Sequence, residues 1–233
     1  MEAIDGEDAF RNVLYFVLFA QVYDLPTGLR YIVYQLEQKQ QAKWFNYTYY
    51  KVLGGAAHVY EYSVQNYLNM EPELQKKMAY LPIPLRLDKK EYNDFEFDVL
   101  FHGSMCSRRS RILDDLQNKH EIRMKIAGAN FGKGLDELIQ KTRIVLNLHY
   151  YDNSLLETAR INEALKWGKI VVSEEPMSED KYSRELYKDA VIFTKNLDSY
   201  DDRDVEDLAK TLKFYSSSRN YRQYTVLSSN FST

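Results

Sequence analysis

The most basic run in this chain follows a predicted buried strand and could bind phosphate. Gly103 and Ser104 permit a tight turn, and Arg108 and Arg109 follow in the expected first turn of a helix. Free N–H groups at a helix start attract anions, and arginine binds phosphate with two parallel hydrogen bonds. A solvated helix start is the simpler alternative. The run is neither a GxGxxG turn nor a P-loop, because it lacks the Gly-Lys-Ser/Thr ending.

A second candidate group lies on one predicted helix. Glu157, Arg160 and Glu163 are spaced at i, i+3, so Arg160 should lie between the two carboxylates. A salt-bridge ladder on the surface would give the same spacing and would contribute little. Because a buried strand follows this helix at once, we expect the helix to pack on a sheet with its start facing a ligand crevice.

Two further loops carry residues suited to a nucleotide. The glycine-rich loop Gly128–Gly134 includes Asn130 and the aromatic Phe131, where a base or ribose could lie close to the backbone, although a plain flexible turn is equally consistent. His149 and Tyr150 follow the next strand, at a place suited to a phosphate or acceptor contact. A single histidine can also be purely structural.

The elements that must position these residues alternate between strand and helix from Asp98 to Tyr215. Such alternation with short connections predicts βαβ units and a parallel sheet. Ligands of open parallel sheets bind beyond the carboxyl ends of the strands. That rule selects the loops after His102, Ala127, Leu148 and Val172.

The fold class predicted is α/β, with two Rossmann-like domains, parallel sheets flanked by helices, and a reduced first domain. The boundaries expected are a first domain at 1–87, a polar linker at 88–96, and a second domain at 97–220. We expect residues 221–233 to form a C-terminal tail, which could pack back on the first domain.

The amino-acid composition restricts the binding partners and the cellular compartment that we expect. A net charge of -3 over 233 residues predicts neither nucleic acid nor an anionic membrane as partner. The single cysteine, Cys106, excludes an intrachain disulfide and fits a reducing compartment. The apolar run Val13–Ala20 is too short to span a bilayer and reads as a buried strand, so we expect a cytoplasmic protein.

The run from Glu163 to Ser173, Glu-Ala-Leu-Lys-Trp-Gly-Lys-Ile-Val-Val-Ser, resembles the nucleotide-sugar signature of GT-B glycosyltransferases. In that family the matching glutamate binds the donor ribose, so the resemblance gives Glu163 this role. The family's first glutamate falls at Leu155, which is not acidic. Glu157 with Arg160, and the run Tyr31–Gln38, look more like CgeB-like and large-DNA-virus (chlorovirus-like) glycosyltransferases.

The resemblance implies transfer of a sugar from a nucleoside-diphosphate sugar to a glycan or sugar acceptor, with UDP favoured and GDP as the alternative. It also implies that residues 97–220 bind the nucleotide-sugar donor and that residues 1–87 form the acceptor-side domain. No cofactor is expected, and Arg108 and Arg109 should replace a metal at the leaving phosphates. Asp202 and Asp204 have metal-motif spacing but look like a helix cap. If the chain is viral, the host cytoplasm is its expected location.

An inverting enzyme also needs a general base, which in this family usually comes from the first domain or the cleft. The candidates are Asp24, Glu37, His58 and His149, and the sequence does not decide between inversion and retention.

Two other classes stay open at this stage. The short first domain favours either a minimal enzyme or a non-catalytic nucleotide- or sugar-binding module of a longer, multidomain protein. A receiver-like signalling domain would need acidic residues at the first strand end, where Gly103, Ser104 and the arginines stand instead.

Overall fold

A computed structural model describes residues 13–26, 28–39, 43–85 and 94–217. The chain divides into two compact units, Met1–Pro82 and Ile83–Thr233. Most of the predicted linker at 88–96 and all of the predicted tail at 221–233 lie outside the described residues. The predicted domain boundaries therefore stay predictions.

Unit 1 is a four-stranded parallel sheet with the order β1-β2-β3-β4. Its strands are β1 (Leu14–Leu18), β2 (Arg30–Gln35), β3 (His58–Glu61) and β4 (Met78–Tyr80). A 3₁₀ turn, Ala20–Val22, follows β1. The helices are α1 (Tyr47–Gly55), α2 (Val64–Leu68) and α3 (Pro72–Gln75). Asn46 and Ser63 cap α1 and α2 with their side-chain oxygens.

The sheet of unit 1 is called sheet 1, and that of unit 2 is called sheet 2. Among the described residues of unit 1, helices cover one face of sheet 1 and leave the other face uncovered. Each strand pairs with the next one in sequence, so successive right-handed crossovers place every connection on the same side. The odd-numbered residues of β1 and β2 face that side, where Val33 packs with Leu53 of α1. The even-numbered Leu14 and Phe16 are 51% and 56% exposed. The prediction that Val13–Ala20 is a buried strand was therefore wrong for one of its two faces.

Unit 2 is a five-stranded parallel sheet with the order β6-β5-β7-β8-β9. The strands are β5 (Phe97–Phe101), β6 (Met124–Ile126), β7 (Thr142–Asn147), β8 (Ile170–Glu174) and β9 (Ile192–Thr194). The helices are α4 (Ser107–Asn118), α5 (Gly132–Gln140), α6 (Thr158–Lys166), α7 (Lys181–Leu186) and α8 (Asp202–Ser217).

The strand order of sheet 2 reverses at β5, and this places helices on both faces. One core packs α5 and α6 against residues such as Leu100 and Val145. The other packs α4 and α8 against residues such as Phe101 and Leu146. The connections that leave β5 and β7 therefore diverge to opposite faces, which opens a crevice at the carboxyl ends of these two strands.

The predicted fold class is confirmed, since both units are α/β with parallel sheets flanked by helices. The helix expected to carry Glu157, Arg160 and Glu163 starts at Thr158, so Glu157 lies directly before it and not on it. Leu155 and Leu156 are buried in the preceding loop, where the Leu156 N–H donates to Asp180 Oδ2 at 2.9 Å. That tertiary hydrogen bond holds the two leucines outside the helix.

Candidate functional site

The crevice of unit 2 is built around one buried carboxylate that two arginines share. Glu157 lies directly before α6, Arg160 is in the first turn of α6, and Arg109 comes from α4. Arg109 Nη2 donates to Glu157 Oε1 at 3.0 Å, and Arg160 Nη1 donates to Glu157 Oε2. These three residues are called the arginine cluster below.

Arg109 is the most deeply buried member, with 1% of its surface exposed. Its Nε and Nη2 donate to the Leu148 carbonyl at 3.1 and 2.5 Å, and its Nη1 donates to the Ser104 carbonyl at 2.7 Å. Burial lowers the pKa of Arg109 to about 10, against the opposing effect of Glu157. Arg109 therefore ties the loop after β5 to the loop after β7.

Arg160 extends from α6 across the crevice floor. Its Nη1 donates to Asn147 Oδ1 at 2.6 Å, and its Nη2 makes no hydrogen bond to another described residue. Gly103 has φ +132, and a Cβ at that position would lie 2.6 Å from Arg160 Nη2. Glycine is required at position 103 for two reasons: the backbone conformation there is unfavourable for other residues, and the Arg160 guanidinium leaves no room for a side chain.

Glu157 stays ionised although it is buried. Burial raises its pKa, but the charges of Arg160 and Arg109 outweigh that effect and hold the pKa below its ordinary value. Two guanidinium groups facing one carboxylate leave the arginine cluster with one net positive charge. Such a site favours an anion.

Among the buried side-chain atoms of the described residues that make no hydrogen bond are His102 Nε2, His149 Nδ1 and Thr158 Oγ1, all at this edge of the sheet. Buried polar atoms are nearly always satisfied by protein, water or a ligand. The backbone at the start of α6 is already paired, since the Thr158 and Arg160 N–H groups donate to the Leu156 and Glu157 carbonyls at 2.9 and 3.1 Å. Unpaired polar groups beside a net positive charge are what an anionic ligand would satisfy.

His102 is a site residue that the sequence reasoning missed. It directly follows β5 and is 6% exposed. Burial lowers its pKa to about 3, with Arg160 adding to the effect, so the ring is neutral at physiological pH. Its position between a buried strand and Gly103 was the available signal, but histidine at a strand end is too common to select it.

Arg108, expected to bind phosphate, is held instead by carboxylates of the protein. It donates to both oxygens of Glu174, at 3.0 and 2.5 Å, and to Asp198 Oδ1 at 3.0 Å. Glu174 is fully buried at the end of β8 and also accepts from the Leu197 N–H at 2.9 Å. This geometry favours a structural role for Arg108, and the sequence reasoning did not identify Glu174.

His149 is also held in place, since it has no exposed surface. Its backbone N–H donates to Glu174 Oε2 at 2.6 Å, and its Nε2 lies 3.2 Å from the Glu175 carbonyl. The adjacent Tyr150 places its ring 5.2 Å from the Arg109 guanidinium carbon. The burial of His149 does not favour a general-base role, whereas Tyr150 packs on the arginine cluster.

The glycine-rich loop is joined to the same crevice. Gly128 has φ +56, and its carbonyl accepts from the Gly103 N–H at 2.7 Å. Asn130 Nδ2 closes the turn on the Ala127 carbonyl at 2.9 Å. Phe131 precedes α5 with 80% of its surface exposed. The loop therefore presents an uncovered aromatic ring beside backbone that only glycine adopts easily.

Glu163 does not contact the arginine cluster. Arg160 therefore pairs with Glu157 but not with Glu163, the second carboxylate that was expected to flank it. Its side chain is 49% exposed, and its nearest ion-pair partner among the described residues is Lys166 at 3.9 Å. The buried neighbour is Asn162, which accepts from the Tyr187 hydroxyl at 2.7 Å. Glu163 is thus accessible to a ligand.

The remaining candidates lie in unit 1 or at the start of α8. Asp24 is exposed, His58 is half-buried against Tyr60, and Glu37 is half-buried with its pKa raised by burial.

Asp202 and Asp204, which have metal-motif spacing, lie at the start of α8. Asp202 pairs with Lys119 at 3.7 Å, and Asp204 pairs with Lys195 at 2.8 Å. Within the described ranges, no group of acidic, histidine or cysteine side chains has metal-site geometry.

Of the helices in the described part of the chain, none has the length and apolar character needed to cross a bilayer.

Sequence comparison finds relatives in a giant virus, and no protein-family model matches the chain. The uncharacterized protein R358 of Acanthamoeba polyphaga mimivirus is 34% identical over 160 residues, which is 64% of this chain and 53% of that protein. The uncharacterized protein L140 of the same virus is 27% identical over 134 residues, or 55% and 44% of the two chains. The chain thus spans about half the length of these relatives.

Structure comparison identifies the fold. TarM superposes with a TM-score of 0.51 at 9% identity, over 82% of this chain and 44% of TarM. A mutant of S. aureus TarM, solved in complex with fondaparinux, alpha-GlcNAc-glycerol and UDP, gives 0.54 at 9% identity, over 82% and 45%. These neighbours are GT-B glycosyltransferases, so the chain has the GT-B type of α/β fold.

The neutrality of His102 predicts an acid sensitivity of unfolding. Below pH 6.5 the unfolded chain protonates His102, whereas the folded chain resists protonation down to about 3. Stability present above pH 6.5 is therefore lost as the pH falls. Relative to His102→Asn, the wild type should lose about 2 kcal/mol more of its unfolding free energy between roughly pH 7.5 and pH 5, measured by urea denaturation.

The control for this experiment is His120→Asn, which replaces a partly exposed histidine at the far end of α4. It should retain the acid sensitivity of the wild type. Equal acid sensitivity in the wild type and His102→Asn would show that His102 is not held neutral.

Proposed function

We propose that this chain is a glycosyltransferase that moves a sugar from a nucleoside-diphosphate sugar to a glycan or sugar acceptor without a metal ion. UDP is the favoured nucleotide and GDP the alternative. The observation that carries the proposal is the arginine cluster with its one net positive charge. It lies with unpaired buried polar atoms at the strand-order reversal of a doubly wound sheet.

The chemistry requires stabilisation of a departing nucleoside diphosphate. Negative charge develops on the phosphate oxygens while positive charge develops on the sugar ring, so preorganised donors at the phosphates lower the barrier. Arg160 Nη2 supplies such a donor. Neutral His102 adds a hydrogen-bond donor without adding charge. Gly103 leaves room for the Arg160 guanidinium to lie against the backbone.

The roles of Arg109 and Glu157 in this scheme are to hold Arg160 in position. Glu157 binds one edge of the Arg160 guanidinium, and Arg109 binds Glu157 from the opposite side. Arg160 therefore meets the ligand with its rotamer already fixed, which reduces the entropy lost on binding.

The nucleoside would extend from the phosphates over the glycine-rich loop and α6. Phe131 offers an exposed ring to the base, beside Gly128 and Asn130. Glu163 offers an accessible carboxylate that can accept hydrogen bonds from the two ribose hydroxyls. This assignment agrees with the role that the sequence resemblance gives Glu163.

The comparisons support the proposal at the level of fold and origin. TarM has the same fold, and one of its structures contains UDP. The mimivirus relatives support a viral origin. The chlorovirus-like affiliation and a location in the host cytoplasm are part of the proposal.

A non-catalytic nucleotide- or sugar-binding module is the second candidate. It is favoured by the four-stranded, one-sided sheet of unit 1 and by the half-length match to the relatives. Release of UDP or GDP from a panel of nucleotide sugars, with and without methyl glycosides as acceptors, separates the two. Glycoside-dependent release establishes the enzyme, whereas binding without release in every combination establishes the module.

Replacing Arg160 by lysine should weaken UDP binding by about 10- to 100-fold. Lysine keeps the charge but cannot bond Glu157 and a phosphate at the same time with a planar fork, and hydrogen bonds to charged groups contribute roughly 1.5–3 kcal/mol. Isothermal titration with UDP and with GDP measures the effect. The control Arg123→Lys changes an exposed arginine paired with Asp98 and should bind like the wild type. Unchanged affinity in Arg160→Lys would remove Arg160 from the phosphate site.

Replacing Glu163 by glutamine should abolish the preference for a ribose 2′-hydroxyl. A carboxylate accepts from both ribose hydroxyls, whereas a carboxamide presents only one accepting oxygen. We expect the wild type to bind UDP about tenfold more tightly than 2′-deoxy-UDP, and Glu163→Gln to bind both about equally. The control Glu137→Gln changes an α5 carboxylate for which no ligand role is expected. A ratio that persists in Glu163→Gln would contradict the ribose assignment.

A further inference from the structure

The edge of sheet 1 that β1 forms lacks the features that usually protect a terminal strand. β1 pairs with β2 on one side only, so the backbone groups on its other side have no strand partner among the described residues. Proteins commonly protect such edges with charged residues, with proline or by making the strand very short. β1 has five residues, Leu-Tyr-Phe-Val-Leu, with neither a charge nor a proline.

The other three terminal strands of the two described sheets differ from β1. β4, β6 and β9 have three residues each. Pro82 follows β4 closely, and the exposed Lys125 lies in the middle of β6. These are the usual means of preventing a further strand from pairing, so β1 is the terminal strand that is open to one.

The side chains of β1 on the uncovered face of sheet 1 are apolar. Leu14, Phe16 and Leu18 are each at least 43% exposed. The Phe16 ring centroid lies 6.3 Å from that of Tyr34 on β2 and 6.4 Å from that of Tyr60 on β3, so the row continues into aromatic neighbours. Contiguous apolar surface of this kind marks an interaction site.

The residue order of β1 is complementary to itself. When two β1 strands pair antiparallel around Phe16, Phe16 lies opposite Phe16 of the second copy, and Leu14 lies opposite Leu18. Residues directly opposite each other have their side chains on the same face, so each exposed side chain of one copy meets an apolar one of the other. Self-complementarity is what a two-fold symmetric contact requires, and it favours a second copy over an unrelated partner.

We propose that two copies of this chain associate through an antiparallel pair of β1 strands, which joins the two four-stranded sheets into one continuous sheet. The two-fold axis runs perpendicular to the sheet and passes between the two Phe16 residues. The carboxyl ends of sheet 1 in the two copies therefore point in opposite directions. This association does not depend on the proposed sugar transfer.

The exposed apolar surface along this edge suits a reversible dimer. Val13 and Phe19 flank β1 and are 44% and 50% exposed. Together with the three exposed side chains of β1 they present roughly 500 Å² of surface, on a scale where a whole aromatic side chain buries 150–250 Å². Stable interfaces bury about 800 Å² per partner, part of which the backbone of the paired strands supplies here. We therefore expect a dimer whose formation depends on the protein concentration.

Sedimentation equilibrium of the full chain over a range of concentrations tests the proposal. The wild type should reach twice the monomer mass. Phe16→Lys should raise the dissociation constant about 100-fold or more, because two ammonium groups would face each other at the axis and two buried rings would be lost. The control Leu68→Lys makes the same kind of change at an apolar residue of α2 that is 60% exposed, and it should dimerise like the wild type.

Charged pairs test the register of the two strands. Leu14→Lys alone should weaken the dimer, since each lysine then meets Leu18 of the other copy. Adding Leu18→Glu places opposite charges across from each other at both ends of the pair and should recover about tenfold in affinity. Adding Leu18→Lys instead should weaken the dimer further. Far-ultraviolet circular dichroism shows whether each variant is folded, and these two double variants decide the question if Phe16→Lys does not fold.

Three results would overturn the proposal. One is a wild type that stays monomeric at every concentration, including a chain that dimerises only after residues 1–12 are removed, which would assign the β1 edge to that segment. Another is a dimer that Phe16→Lys leaves unchanged, since it would use a different surface. The third is equal affinity in the two double variants, which would exclude the antiparallel register.

Discussion

The structure of the unit 2 crevice depends on the buried ion pair that Glu157 makes with two arginines. Glu157 alone would be expensive to bury, and so would Arg109, which is nearly inaccessible to solvent. Together they satisfy each other and connect α4, the loop after β7 and the first turn of α6. Removing Glu157 would leave two neighbouring guanidinium groups without their shared counter-charge, whereas the intact cluster keeps one donor edge of Arg160 available.

A comparable interaction operates in unit 1, where the buried carboxylate of Glu61 accepts hydrogen bonds from the amide side chains of Gln35 and Asn66. The two carboxylates act differently. Glu157 is paired with cations, which hold its pKa below the ordinary value, whereas Glu61 meets only neutral donors and burial raises its pKa to about 8. The first arrangement places a net positive charge in the unit 2 crevice, and the second fixes the positions of the Gln35 and Asn66 side chains.

The sequence was sufficient for the fold, because strand–helix alternation and short connections restrict a parallel sheet to few arrangements. It also selected Arg109, Glu157 and Arg160 as candidates, and the structure brings these three side chains into contact. It could not separate Arg108 from Arg109, since adjacent positions on a helix point in different directions. Only the tertiary structure shows that Arg108 meets the buried Glu174 while Arg109 meets Glu157. His102 and Glu61 were missed for a related reason, as their importance comes from burial next to partners distant in sequence.

The order of strands in the two sheets has a consequence for folding kinetics. In unit 1 every strand pairs with the next one along the chain, so each pairing closes one short loop. In unit 2 the central pair β5–β7 forms across β6 and two helices, and the arginine cluster spans the same separation. Because long loop closures slow folding, sheet 1 can assemble before the unit 2 crevice exists. We therefore expect the arginine cluster to form later than sheet 1.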